Sequence, residues 1–160
     1  MFQTYDLNGV ILRPTNTYGR KFDKSFIVEY LVTEMLKGNK VYIGAPDSIR
    51  DYMYIDDHVN AYLLVMEKEE AKGNVFNVGT GVGISNRELT EKIANKIGYN
   101  KNRISFGKYP PGYPYRPFVS DQPYIVLDSS KIRSTLGWKC TVPLDRGLDK
   151  VIDFWSKKIK

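Results

Sequence analysis

The stretch Asn-Val-Phe-Asn-Val-Gly-Thr-Gly-Val-Gly-Ile-Ser-Asn-Arg-Glu-Leu at residues 74–89 constrains the fold more than any other. Val75 to Val78 reads as a buried strand, and the glycines at 79, 81 and 83 read as a tight turn. Ser85 stands three residues before Glu88, the spacing of a capping box that opens a helix. A glycine-rich turn between strand and helix is also how backbone approaches a bound phosphate. The dinucleotide fingerprint, however, spaces its glycines G-x-G-x-x-G and places an acid about 20 residues on. Here Ile84 stands where the third glycine belongs, and Ile104 to Lys108 contains no acid. The segment is therefore expected to be a structural strand-to-helix turn rather than a cofactor loop.

Similar units lie on both sides. Val10 to Pro14 is an apolar run closed by proline, expected as a strand buried on both faces. A turn at 16–19 leads to a helix from Ser25 to Lys37, stopped by Gly38-Asn39. Val41 to Ile43 and Tyr52 to Ile55 read as strands. Asp56 or Asp57 can cap a helix to about Lys68, with Val59, Tyr62, Leu63 and Met66 expected on its buried face. The capped helix after Ser85 runs to Gly98, and Arg103 to Phe106 forms a further strand. Residues 109–125 hold five of the eight prolines and four tyrosines, which predicts a long, partly extended loop. A helix capped by Asp128 ends at Gly137, and a last helix follows Pro143, with Leu148, Val151, Ile152, Trp155 and Ile159 inward. Alternating strands and helices predict an α/β protein. Yet a doubly wound sheet needs several strands buried on both faces, and the sequence offers two. The chain is expected to be part of a larger fold.

At 160 residues the chain is the size of one ordinary domain. No apolar run approaches the ~20 residues of a membrane span. The first residues lack a basic region followed by an apolar stretch, and the use of one cysteine fits a reducing compartment, so a cytoplasmic location is expected. A single cysteine, Cys140, excludes an internal disulfide and any multi-cysteine metal site. The net charge of +6 either reflects an excess of surface lysine or favours an anionic ligand. The basic residues are dispersed and no nucleic-acid motif accompanies them, so the anion expected is a small phosphate-bearing molecule and not nucleic acid.

Four segments in order carry a resemblance. They are Leu12-Arg13-Pro14-Thr15-Asn16-Thr17-Tyr18-Gly19, Arg50-Asp51-Tyr52-Met53-Tyr54-Ile55-Asp56-Asp57, Phe76-Asn77-Val78-Gly79-Thr80-Gly81, and Leu136-Gly137-Trp138 with the final helix. The set resembles the C-terminal half of the extended short-chain dehydrogenase/reductases, the NAD-dependent sugar-nucleotide epimerases and dehydratases. The resemblance implies a Rossmann-type fold in which residues 1–160 are one partial domain: a substrate-binding subdomain plus the last strands of the NAD-binding sheet. It implies NAD as cofactor and a nucleotide-diphosphate sugar as ligand. It further implies a missing N-terminal half or a complementary chain, and a homodimer. Family members carry a glycine-rich NAD loop and a Tyr-x-x-x-Lys catalytic pair ahead of the region matched here. No tyrosine in this chain has lysine four positions on. That pair matters because lysine lowers the tyrosine pKa and the phenolate takes a proton as hydride moves to NAD. No catalytic residue is therefore expected in this chain, and whether it is an enzyme alone stays open.

By the same resemblance, Pro14 and Thr15 lie near the nicotinamide. Asn16 and Arg50 hold the diphosphate, a task suited to the planar charged fork of arginine. Lys24, Val41 and Asn77 fall where relatives contact phosphate, nucleobase and nucleotide edge, and Arg116 resembles a second phosphate-binding arginine. Each also has a plain structural reading. Arg50 can form a surface ion pair with Asp47 or Asp51, Asn16 can shape a turn, and Asn77 can satisfy loop backbone. His58 is expected to be a solvated first-turn residue, Trp138 packing, and Asp56-Asp57 a cap rather than a metal site. Two departures weaken the carry-over: Arg20 replaces the usual proline after Tyr-Gly, and Arg116-Pro117-Phe118-Val119-Ser120-Asp121 replaces the usual Arg-Pro-Gly-His-Asp. The alternative function is a non-catalytic dimerisation or assembly module.

Overall fold

The computed structural model describes residues 9–112 and 122–159. In chain order the elements are β1 (Ile11–Pro14), β2 (Asn16–Tyr18), α1 (Ile27–Leu36), β3 (Val41–Ile43), β4 (Ile49–Tyr54) and α2 (Ile55–Glu67). They continue with β5 (Val75–Val78), β6 (Gly83–Ser85), α3 (Asn86–Ile97), β7 (Ile104–Phe106), β8 (Tyr124–Ile125), α4 (Ser130–Leu136) and α5 (Leu144–Lys158). The α/β class expected from the sequence is the one observed.

Three small sheets organise the chain. β1 pairs in parallel with β5, and β3 in parallel with β7. β4 is the hub of the third: β2 and β8 run parallel to it and β6 antiparallel. The short β8 lies inside the stretch expected to be loop, and its pairing to Ile49 and Arg50 is a tertiary event that its two residues do not announce.

The main core gathers Leu31, Val32 and Met35 of α1, Leu89 and Ile93 of α3, and Leu148, Val151 and Trp155 of α5 around Tyr18, Tyr52 and Tyr54. Gly147 fits this core for a geometric reason. A Cβ there would meet the Tyr18 hydroxyl at 2.0 Å, so the glycine lets that ring seat against α5. A second cluster joins Met53, Ala61, Phe76, Val78, Ile132, Leu136 and Trp138, which confirms Trp138 as packing.

Local signals behaved as their physics requires. Ser85 and Glu88 form the expected reciprocal cap, and Gly98 ends α3 in the left-handed conformation. Four expectations are corrected. The turn expected at 16–19 is strand β2 over Asn16–Tyr18, because those residues pair with β4. β1 is not buried on both faces: Ile11 is 42% exposed, and Arg13 and Pro14 are exposed. Among the described residues β1 has a strand neighbour only in β5, and one neighbour cannot cover it. The expected inner face of α2 is outside, with Leu63 51% and Met66 79% exposed. The helix is apolar around more than one face, and Ala61, with Leu64 and Val65, takes the core side. Finally, neither Asp56 nor Asp57 caps α2, whose N-cap Tyr54 has no side-chain cap.

Asp57 is instead fully buried and reaches across to the segment before α5. Its Oδ1 accepts from the Thr141 amide (2.9 Å) and hydroxyl (2.7 Å), and its Oδ2 from the Val142 amide (3.0 Å). Burial alone would raise this carboxyl, but the donors from Thr141, Val142 and Cys140 outweigh it and hold the pKa below the ordinary value. The charge in turn helps push the Cys140 thiol up to about 12, after burial, so that the thiol stays protonated.

Candidate functional site: a tyrosine-walled cavity with Asn16 and Arg50

Alternation along β4 places Arg50 and Tyr52 on one face of the strand and Asp51 and Met53 on the other. The parallel register sets Asn16 of β2 opposite Tyr52. Asn16, Tyr52 and Arg50 therefore share a face, although 34 residues of chain separate the first from the last. Together they wall a cavity of about 360 Å³ with Tyr30, Tyr42, Tyr109 and Asn86. The side chain of Arg50 is drawn in to 7% exposure, and its Nη1 donates to the Ile49 carbonyl at 2.8 Å.

Four tyrosines on the wall give the cavity flat apolar faces with polar rims. The Tyr52 hydroxyl donates to Asn86 Oδ1 (2.7 Å), and the Tyr30 hydroxyl accepts from the Tyr42 amide (3.1 Å). Asn86 itself is anchored by donating to the Ala45 carbonyl at 2.9 Å. Tyr109 lies directly on the β3–β4 turn. A Cβ on Gly44 would stand 2.1 Å from its ring, so only glycine admits that contact. A cation, two amides and aromatic faces in one recess suit a planar ring system bearing an anionic group.

The glycine turn is structural, as its spacing predicts, and the structure supplies the reason. Asp51, fully buried on the opposite face of β4 from Arg50, fills it. The Asp51 carboxylate accepts from the Thr80 amide (3.1 Å) and hydroxyl (2.5 Å) and from the Gly81 amide (3.0 Å). Gly79 cannot be larger, because a Cβ would approach Asp51 Oδ2 to 2.5 Å. The amides that a phosphate loop would offer are already given to a carboxylate of the protein. Asp47 of the same neighbourhood pairs with Arg87 at 3.2 Å.

The remaining residues singled out in the sequence fall elsewhere. Val41 is fully buried in the main core, and its neighbours Tyr42 and Ile43 line the cavity in its place. Lys24 is exposed with its ammonium 5.0 Å from the Trp155 ring centre, while the adjacent Ser25 is on the cavity wall. Asn77 lies half-buried on β5 opposite Arg13, away from these walls. Thr15 donates its hydroxyl to the Asp51 carbonyl (2.7 Å) and its amide to the Val78 carbonyl (2.9 Å), and Pro14 stands exposed beside it. Arg116 lies outside the described residues. Sequence reasoning did not single out Tyr30, Tyr42, Tyr52, Tyr109 or Asn86 as site residues. For Tyr52 a signal existed, since i and i+2 on a strand share a face with Arg50.

His58 is corrected from a solvated residue to a half-buried one. Its Nδ1 lies 2.8 Å from the Thr17 hydroxyl, and its Nε2 is buried without a partner among the described residues. Burial, then the charge of Arg20, lowers its pKa, so the ring is held neutral.

Comparisons with known proteins bear on the family and the fold. A family model described as GDP-mannose 4,6 dehydratase matches residues 1–151. The UDP-glucose 4-epimerase of Mycolicibacterium smegmatis is 32% identical over 158 residues, a match covering 96% of this chain and 47% of that protein. The crystal structure of Thermotoga maritima UDP-glucose 4-epimerase with UDP-glucose superposes with a TM-score of 0.85 at 31% identity, covering 99% of this chain and 49% of that one. The Thermus thermophilus UDP-glucose 4-epimerase complex with NAD gives 0.80 at 27% identity, covering 96% and 48%. The chain spans about half the length of the curated relatives it matches.

Proposed function

Because the chain belongs to the GDP-mannose 4,6 dehydratase family, whose members include NAD-dependent sugar-nucleotide epimerases and dehydratases, we propose that it is the substrate-binding, C-terminal half of such an enzyme. The observation that carries this reading is the convergence of Asn16 and Arg50 on one tyrosine-walled cavity. In this reading Arg50 pairs with the diphosphate, the Asn16 amide donates to it, and the ring faces of Tyr42 and Tyr109 hold the nucleobase. Arginine suits the role because its planar fork matches two phosphate oxygens at once. Burial of that guanidinium strengthens the pairing, since a low-dielectric wall screens it less than water does.

Oxidation and reduction of the sugar belong, in this reading, to the complementary N-terminal half, which would carry the Tyr-x-x-x-Lys pair and the glycine-rich NAD loop. NAD supplies the hydride acceptor when bound. This chain has little to offer it: both donors of Thr15 are committed to protein carbonyls, and Pro14 has no amide hydrogen. Support for a missing half comes from the exposed β1 strand and the apolar outer face of α2, both of which a second α/β layer would cover. The same exposed α2 face is what favours the second reading, a non-catalytic assembly module.

The experiment is calorimetric titration of the chain with UDP, dTDP and GDP, in wild type and Arg50→Ala. At least one nucleoside diphosphate is expected to bind, and the substitution should weaken it about 10- to 100-fold, the range for a lost charged hydrogen-bond pair. Equal binding by wild type and variant, or none by the wild type, would remove Arg50 and the cavity from the function.

A further inference from the structure

A second, smaller recess of about 240 Å³ adjoins the cavity and shares Asn16, Ile27 and Tyr52 with it. Its other walls include Thr15, Arg20 and Glu29. Glu29, in the first turn of α1, is the only fully buried glutamate among the described residues. Its Oε1 accepts from the backbone amides of Gly19 and Arg20, both at 2.7 Å, and so fixes the turn that follows β2. Its Oε2 is equally buried and has no donor among the described residues. A buried carboxylate oxygen without a donor is costly. Burial accordingly raises the carboxyl's pKa, against the opposing effects of the Arg20, Glu29 and Gly19 amides and the Arg20 charge.

The turn requires only one carboxylate oxygen; Gln or Asn would supply that acceptor without the cost of a buried charge. The second oxygen is thus unexplained by the fold. It belongs to a residue on the wall of a recess that opens beside Asn16, where the function above places a diphosphate. We propose that Glu29 is a specificity-determining residue whose Oε2 accepts a hydrogen bond from a hydroxyl of the group carried on a bound nucleoside diphosphate. The inference rests on the reading of the larger cavity given above. It assigns the recess to the glycosyl side of the ligand and the tyrosine faces to the base. A hydroxyl is the donor that fits: it delivers one hydrogen bond to a single oxygen and brings no counter-charge into a recess that already contains Arg20.

The test compares two affinities within one protein. Kd is measured for UDP and UDP-glucose, and for dTDP and dTDP-glucose, with wild type, Glu29→Gln and Glu29→Ala. Glu29→Gln can keep the acceptor that holds the turn while replacing the second oxygen with an amide donor, and circular dichroism checks that the fold is retained. The expected result is that the nucleoside diphosphate binds unchanged to Glu29→Gln while the advantage of the sugar nucleotide over it falls about tenfold. An unchanged ratio in Glu29→Gln overturns the proposal and leaves the diphosphate site standing. Equal weakening of both ligands also overturns it, because that is the signature of a residue that only supports the turn. Absence of any nucleoside diphosphate binding by wild type removes the larger site and this proposal with it.

Discussion

Two adjacent carboxylates show how little a side chain's type says about its task. Asp56 and Asp57 are equally plausible helix caps by sequence, yet Asp56 is exposed and pairs with Lys150 at 3.1 Å, whereas Asp57 is buried. From there it fixes the segment that leads into α5. Asp57→Asn turns one acceptor into a donor that faces an amide, so a loss of about 2–3 kcal/mol is expected in urea unfolding at neutral pH. The sign of the pH effect follows from the lowered folded-state pKa. The charged form is favoured in the fold, so its stabilisation is present above the ordinary carboxyl value of 3.8 and fades as pH falls through the lower, folded value. The gap between wild type and Asp57→Asn should narrow in strong acid; a gap independent of pH would mean the carboxylate is not charged in the fold. Asp51 repeats the pattern, with its carboxylate taking the amides of the glycine turn.

At the level of elements, legibility follows locality. The Ser85–Glu88 box and the left-handed Gly98 are decided within four residues of each helix end, and both stand as the sequence implies. Ser85→Ala should cost about 1 kcal/mol, and thermal unfolding with no shift would show that the cap contributes nothing beyond β6 pairing. Buried faces were less legible. α2 carries apolar residues around more of its surface than one core can cover, so periodicity alone could not say that Ala61 faces in and Leu63 faces out. Nor could it show β8, whose two residues become a strand only through β4. The site sat between these cases. Arg50 and Asn16 stood out by resemblance, but their common face depends on the Asn16–Tyr52 register.

On the scale of the whole molecule, the described residues form two cores of unequal finish. The cluster around α1, α3 and α5 is closed, while the β1–β5 side leaves Ile11, Val59, Leu63 and Met66 partly or largely exposed. If that surface awaits a second layer, its apolar side chains add little to the isolated chain. Leu63→Glu with Met66→Lys should then change unfolding free energy by less than about 0.5 kcal/mol while reducing self-association in light scattering. A loss of several kcal/mol would mean the face is packed in the free chain. Among the described residues no helix is long and apolar enough to cross a membrane. The sequence by itself determined the α/β class, the strand-to-helix turn that is no cofactor loop, and both ends of α3, because each depends on neighbours along the chain. Tertiary structure alone decided which carboxylates became anchors, which face of α2 was buried, and that Asn16, Arg50 and four tyrosines share one cavity. Those outcomes depend on strand register and on competition for limited core volume, and neither is encoded in any short window of residues.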